Sequence, residues 1–241
     1  MVAIAAQFGN FVKIINRGLS TQIMENTANQ QFKITQLTAV NVAKAIPIFL
    51  LIGCAILFGI HDVRQVIYLC LHISYCVWWL VEQWFYPKRG EMLFNEPAGV
   101  FEFIFILFYV GFLYTLPGYL AFVNPEPISM ITVGIALPLF FFGSLINASA
   151  DAQKLTAKEF GAGLVQDNIW RLSRNINYFG DLMRYLSFAV VAGSLWAYIV
   201  PGQVMALYLL RMNQKDLSMS EKYPEYQEYK QKTRRLIPFI W

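Results

Sequence analysis

Four apolar runs, Val40 to Ile60, Val63 to Tyr86, Ala98 to Val123 and Pro127 to Ile146, occupy the middle of the chain. Each is long enough to cross a hydrocarbon core of about 30 Å, which takes roughly 20 residues at helical rise. The composition agrees: 57% of the 241 residues are hydrophobic and 14% are charged, a balance that fits a membrane protein better than a water-soluble domain. The sequence predicts an all-α, multi-pass transmembrane helical bundle.

The links between the runs differ in charge. His61-Asp62 and Asn124 to Glu126 are short and hold no Lys or Arg, although Arg64 lies just past the first. The others carry Lys88, Arg89, Lys154, Lys158, Arg171 and Arg174. Placing every cationic link, the first forty residues and the tail on one face satisfies the positive-inside rule with an even number of spans, which puts both termini in the cytoplasm. Residues 1–39 lack the short apolar core of a secretory signal. Phe8, Phe11, Val12 and Ile15 fall at helical spacing there, reading as a helix in the interface or as a flexible leader. Residues 40–146 form the four-helix region, and residues 147–241 the remainder.

Cys54, Cys70 and Cys76 lie inside the runs, an odd number that gives no disulfide framework and reads as apolar packing. With only His61 and His72 and no His/Cys cluster, no metal site is expected. The net charge of +4, spread over cytoplasmic segments, favours anionic headgroups or a phosphorylated cofactor and gives no reason to expect nucleic acid. No feature speaks for or against self-association.

The late part of the chain poses a depth problem. Asp181 to Ile199 is apolar enough to span, Pro201-Gly202 reads as the break, and the second apolar run lasts only from Val204 to Leu210. Climbing back through some 28 Å takes about 19 residues, so the returning helix leaves the membrane near Glu221 and carries Arg211, Asn213, Gln214, Lys215 and Asp216 at membrane depth. Charges there survive where they line a water-filled or ligand-filled cavity. Across the hairpin, Tyr178, Asp181 and Arg184 or Tyr185 recur at helical spacing and point at the same region. These residues predict a polar pocket open to the cytoplasm. The basic tail, Lys215 to Arg235, interleaves cations with Tyr223, Tyr226 and Tyr229, which suits stacking on a flat ring while cations hold phosphates.

At four linked pieces the chain resembles the sterol reductase and steroid 5-alpha-reductase superfamily. These are Ala150-Asp151-Ala152-Gln153-Lys154, the stretch Arg174-Asn175-Ile176-Asn177-Tyr178-Phe179-Gly180-Asp181, the helix end Arg211 to Asp216, and Lys222-Tyr223 through Tyr229 to Leu236-Ile237-Pro238. Asn175 stands where many relatives have His, and Gln214-Lys215-Asp216 replaces an Arg-Asp-Glu type sequence. The resemblance covers roughly Phe140 to Trp241. It implies a membrane-bound reductase of a carbon–carbon double bond in a sterol, steroid or other lipophilic substrate, with NADPH in the pocket. It implies Lys154, Arg174, Asn177, Tyr178, Asp181, Arg211, Lys215, Asp216, Tyr226 and Tyr229 as cofactor contacts, with Tyr178 and Asp181 as the candidates for proton delivery. Glu82 and Glu102, carboxyls inside the second and third runs, are further candidates on the substrate side. For each a plainer role is open: an anchor near headgroup level for Glu82, and pairing with Lys88 or Arg89 for Glu102. Gly161-Ala162-Gly163 stands alone between helices, so no Rossmann fingerprint is present. The rival reading is a methyltransferase of the isoprenylcysteine or phospholipid type, which shares the late hairpin and uses S-adenosylmethionine. A noncatalytic lipid-binding membrane protein is the third.

Overall fold

The computed structural model describes residues 34–87 and 96–241. The interfacial helix expected near Phe8, and the Lys88 and Arg89 partners considered for Glu102, lie outside the described residues. Among those described, regular structure is helical throughout, with two isolated bridges, Thr35 to Pro97 and Ser173 to Arg234. The chain is an all-α, multi-pass membrane bundle. Among the described residues five segments are long and apolar enough to cross a bilayer: Gln36–Phe58, Val63–Phe85, Val100–Val123, Met130–Glu159 and Leu195–Lys222.

Contacts divide the described residues into two compact units, one comprising 34–61, 65–87 and 96–123, the other Asp62–Arg64 with Asn124–Trp241. The first unit holds α1 (Gln36–Phe58), α2 (Val63–Phe85), α3 (Val100–Ile106) and α4 (Leu116–Val123). Thr35 caps α1 by accepting from Thr38 N at 3.2 Å. Between α3 and α4 the chain passes through a π-helical stretch, Leu107–Phe112, and one 3-10 turn, Leu113–Thr115. Pro117 explains the rewiring: it has no N–H for the Leu113 carbonyl, which takes Leu116 N instead, while the Thr115 hydroxyl takes the Gly111 carbonyl at 2.7 Å.

The second unit holds α5 (Met130–Glu159), α6 (Ile176–Ala192), α7 (Ile199–Lys222) and α8 (Tyr226–Lys232). The sequence ends the fourth apolar run at Ile146, but α5 continues to Glu159. Its polar continuation is one stripe, Asn147, Asp151, Lys154 and Lys158, at helical spacing, so the helix outlasts its hydrophobicity by turning a polar face to its neighbours.

The hairpin turns earlier than expected. Gly193, not Pro201-Gly202, ends the descending helix: its backbone is left-handed, φ 66° and ψ 24°, a conformation glycine adopts without strain. Pro201 instead sits in the first turn of α7, where a missing N–H leaves no helical bond unmade. A helix end near the membrane must satisfy its last carbonyls internally. Gly193 N donates to Ala189 O and Val190 O, both at 3.2 Å. Arg64 donates to Val191 O at 2.6 Å, and Asn124 donates to Ala192 O at 2.9 Å. Arg64, the cation just past a Lys/Arg-free link, is thus a cap for this helix end. The return helix ends at Lys222 with Tyr223 beyond it.

Candidate functional site

The site is built on the close pairing of α5 with α6. Gly143 and Gly180 face each other so tightly that a Cβ on Gly180 would lie 2.6 Å from Gly143 O, the small-residue contact that lets membrane helices meet backbone to backbone. Above this crossing Ala150, Trp170 and Ile176 form a buried cluster, and Trp170 Nε1 donates to Ala150 O at 3.2 Å. The short 3-10 turn Asn168–Arg171 carries Trp170, so its indole becomes the fixed floor on which cations gather. Lys154 Nζ lies 5.6 Å and Lys215 Nζ 5.3 Å from its ring centre.

The tail is strapped to this floor by polar contacts with main-chain atoms. Arg174 N donates to Arg234 O at 3.0 Å, Asn175 Nδ2 to Arg235 O at 2.8 Å, and Tyr229 OH to Trp170 O at 2.7 Å. Lys215 Nζ reaches Arg174 O at 2.7 Å and Asn175 Oδ1 at 2.9 Å. Asp216 joins three elements: it pairs with Arg174 at 3.2 Å, accepts from Tyr226 OH at 2.5 Å, and lies 3.9 Å from Arg235. Burial pushes the Tyr226 phenol above its ordinary range, and the Asp216 carboxylate at its hydroxyl adds to the shift. Burial raises Tyr229 likewise. Tyr223 moves the other way, because Lys158 Nζ donates to its hydroxyl at 3.0 Å.

Between these pieces lies a cavity of about 190 Å³. Its charged walls are Lys154, Lys158, Arg174, Lys215 and Lys222, its flat walls Trp170, Tyr223, Tyr226 and Tyr229, and among the described residues no carboxylate lines it. A neighbouring network sits on the facing sides of α6 and α7. The Tyr178 and Tyr208 rings stack at 4.3 Å with 11° between planes. Arg211 Nε donates to Tyr178 OH at 3.2 Å, and Tyr208 OH donates to Asp181 at 2.8 Å. Arg184 ion-pairs with the other Asp181 oxygen. Asn177 donates to Asp151 at 3.3 Å, while its own Oδ1 is buried and accepts no hydrogen bond among the described residues.

Residues 22–233 match a protein family whose description reads "Protein of unknown function (DUF1295)". The chain belongs to the DUF1295 family. It is also similar to a Delta(14)-sterol reductase of Arabidopsis thaliana, with 24% identity over 152 residues, covering 56% of this chain and 41% of that protein. The chain therefore matches less than half the length of this curated relative. Family and relative together place it in the sterol reductase and steroid 5-alpha-reductase superfamily.

In this DUF1295 chain the residues singled out in the sequence fall into groups. Lys154, Arg174, Lys215, Tyr226 and Tyr229 line the cavity, and Asp216 stands behind its wall. Asn177, Tyr178, Asp181 and Arg211 do not line it; they form the adjoining network, connected through Lys215, which lies 5.8 Å from the Tyr178 ring centre. Glu82 and Glu102 belong to the first unit, both buried, and Glu102 accepts from Gln36 at 2.7 Å. Tyr223 and Lys222 of the basic tail line the cavity too, Lys158 and Trp170 line it without having been singled out, and Tyr208 completes the network. Two signals point to them: Lys154 and Lys158 are one helical turn apart, and Tyr208, Arg211, Lys215 and Lys222 share one helical stripe. Trp170 has no such signal.

Proposed function

We propose that the chain is a membrane-bound, NADPH-dependent reductase of a carbon–carbon double bond in a lipophilic substrate. The observation that carries this is the cavity wall: five cations, four aromatic rings and, among the described residues, no carboxylate. Phosphates seek such cations and planar bases seek such rings. A cavity near 190 Å³ is smaller than the roughly 300–1,000 Å³ of whole-ligand pockets, so it suits one phosphate-bearing end of a dinucleotide, with the rest extending along Lys215 toward Tyr178. S-adenosylmethionine has no phosphate, and its ammonium and sulfonium together outweigh its one carboxylate, so it suits this cationic wall less well.

When bound, NADPH supplies the hydride. The protein's part is to hold it and to deliver a proton. Lys154, Lys158 and Lys222 suit the phosphate of the adenosine end, Arg174 and Lys215 the bridging diphosphate, and the unsatisfied Asn177 Oδ1 suits an amide N–H. The Tyr178 hydroxyl accepts from Arg211 and keeps its own proton to give, so we assign it as proton donor. Asp181, held by Arg184 and Tyr208, orients that donor through the stacked rings. Residues 40–146 are assigned to the substrate side.

Thermal unfolding of the purified chain tests this. A ligand at 100 times its dissociation constant stabilises by about 2.7 kcal/mol. NADPH should raise the unfolding temperature, NADH should do so less, and S-adenosylmethionine should leave it unchanged. Stabilisation by S-adenosylmethionine and not by NADPH would hand the site to the methyltransferase reading.

A further inference from the structure

The turn after α8 holds two large apolar side chains out from the protein. Phe239 and Ile240 are 78% and 77% exposed. The turn is closed by its own backbone: Leu236 N and Ile237 N both donate to Trp241 O at 2.7 Å, and Trp241 N donates back to Ile237 O at 3.0 Å. Leu236 is its buried anchor. Phe239 occupies the left-handed region at φ 66°, a strained conformation for a residue with a side chain. A built, strained turn that displays apolar groups implies something that covers them.

Its height identifies what that is. Arg235, the residue before the turn, is hydrogen-bonded to Asn213 and lies 3.9 Å from Asp216 on α7. A hydrocarbon core of about 30 Å counted from the other end of this span, Leu195 or Ile199, finishes between roughly residues 213 and 218. The turn is therefore tied to α7 at the depth where acyl chains give way to headgroups. Its remaining chemistry suits that boundary: the Arg235 guanidinium lies 5.8 Å from the Trp241 ring centre, Lys230 and Arg234 are exposed beside it, and aromatic residues with cations mark membrane interfaces.

We propose that the turn Leu236–Trp241 is a membrane-seated anchor, with Phe239 and Ile240 in the acyl–headgroup boundary and Lys230 and Arg234 toward anionic headgroups. The proposal is independent of which cofactor the cavity holds. It gives the tail wall a second support, because the carbonyls of Thr233, Arg234 and Arg235, just before the turn, are those that hold Arg174 and Asn175.

A nitroxide attached at Ile240→Cys, in a full-length chain with Cys54, Cys70 and Cys76 replaced by Ala, reads this directly in nanodiscs of mixed zwitterionic and anionic phospholipid holding one copy each. Gln231→Cys on the exposed side of α8 is the reference, and Phe239→Cys repeats the measurement should the first variant fold poorly. Collisions with dissolved oxygen should stay high at position 240, while collisions with a water-soluble nickel chelate should fall at least threefold below those at 231. Equal chelate access at both positions would place the turn in water and overturn the proposal. Protection from both reagents would mean that protein covers the turn, and would overturn it as well.

Discussion

Replacing Gly180 with Ala sets two opposing effects against each other at a place where the structure decides between them. Alanine is the better helix former by about 1 kcal/mol, so on an open helix surface the change stabilises. At Gly180 the new methyl would meet Gly143 O at 2.6 Å and Asn147 N at 2.8 Å. Both are backbone atoms of the neighbouring helix and neither can swing aside. Reaching ordinary contact at 3.4 Å from 2.6 Å requires α5 and α6 to part by 0.8 Å locally. That separation also stretches the bond from Asn147 Nδ2 to Asn177 O, now 3.0 Å. Overpacking costs about 1–3 kcal/mol, and an unyielding obstacle belongs at the top of that range. The net expectation is a loss of about 2 kcal/mol, near a thirtyfold fall in the folded-to-unfolded ratio. Gly134, on α5, has nothing within 4 Å of an added methyl, so Gly134→Ala is the internal control and should be neutral or stabilising. Reversible unfolding by dodecyl sulfate in mixed micelles measures both. Gly180→Ala as stable as Gly134→Ala would refute the claim that the two backbones touch.

Two further outcomes follow from the geometry. Arg64→Ala should cost about 2–4 kcal/mol in the same assay, since it strips partners from the Val191 and Glu126 carbonyls, each about 1–3 kcal/mol when left bare; Arg64→Lys, which cannot fork to both, should fall between. The raised Tyr226 phenol ties stability to alkaline pH: the folded chain keeps a proton that the unfolded chain releases near pH 10.0, so this contribution is whole below that pH and is lost as pH climbs from it through the raised value. Tyr226→Phe should flatten that alkaline slope, as followed by unfolding at a series of pH values.

The four middle spans were legible because hydropathy and length alone decide them. The hairpin's turning point was not legible. Pro201-Gly202 is the louder local signal, but Gly193 wins because Arg64, 127 positions away in sequence, caps the helix there, and no window of neighbouring residues contains that fact. For the site, helical spacing correctly put Tyr178 and Asp181 on the side facing α7, where Tyr208 and Arg211 meet them. Spacing says which residues share a face but not what the face meets. It therefore merged two things the structure separates: the cation-lined cavity, and the network of Asn177, Tyr178, Asp181 and Arg211 beside it. Trp170 escaped notice because its importance comes from being the surface against which Lys154 and Lys215 settle.

The carboxylate of Asp216, behind the cavity wall, already gives one of the cavity's cations a partner. Arg174, Arg235 and the Tyr226 hydroxyl all converge on it. An anion entering the proposed site would not find Arg174 idle; it would compete with a partner already at 3.2 Å. Entry would then be an exchange of one counter-ion for another, and the affinity of the proposed ligand would be what is left after the first pair has been parted. The same exchange would leave Tyr226 and Arg235 on Asp216, so the tail would keep its ties to α7 while Arg174 turned to the ligand.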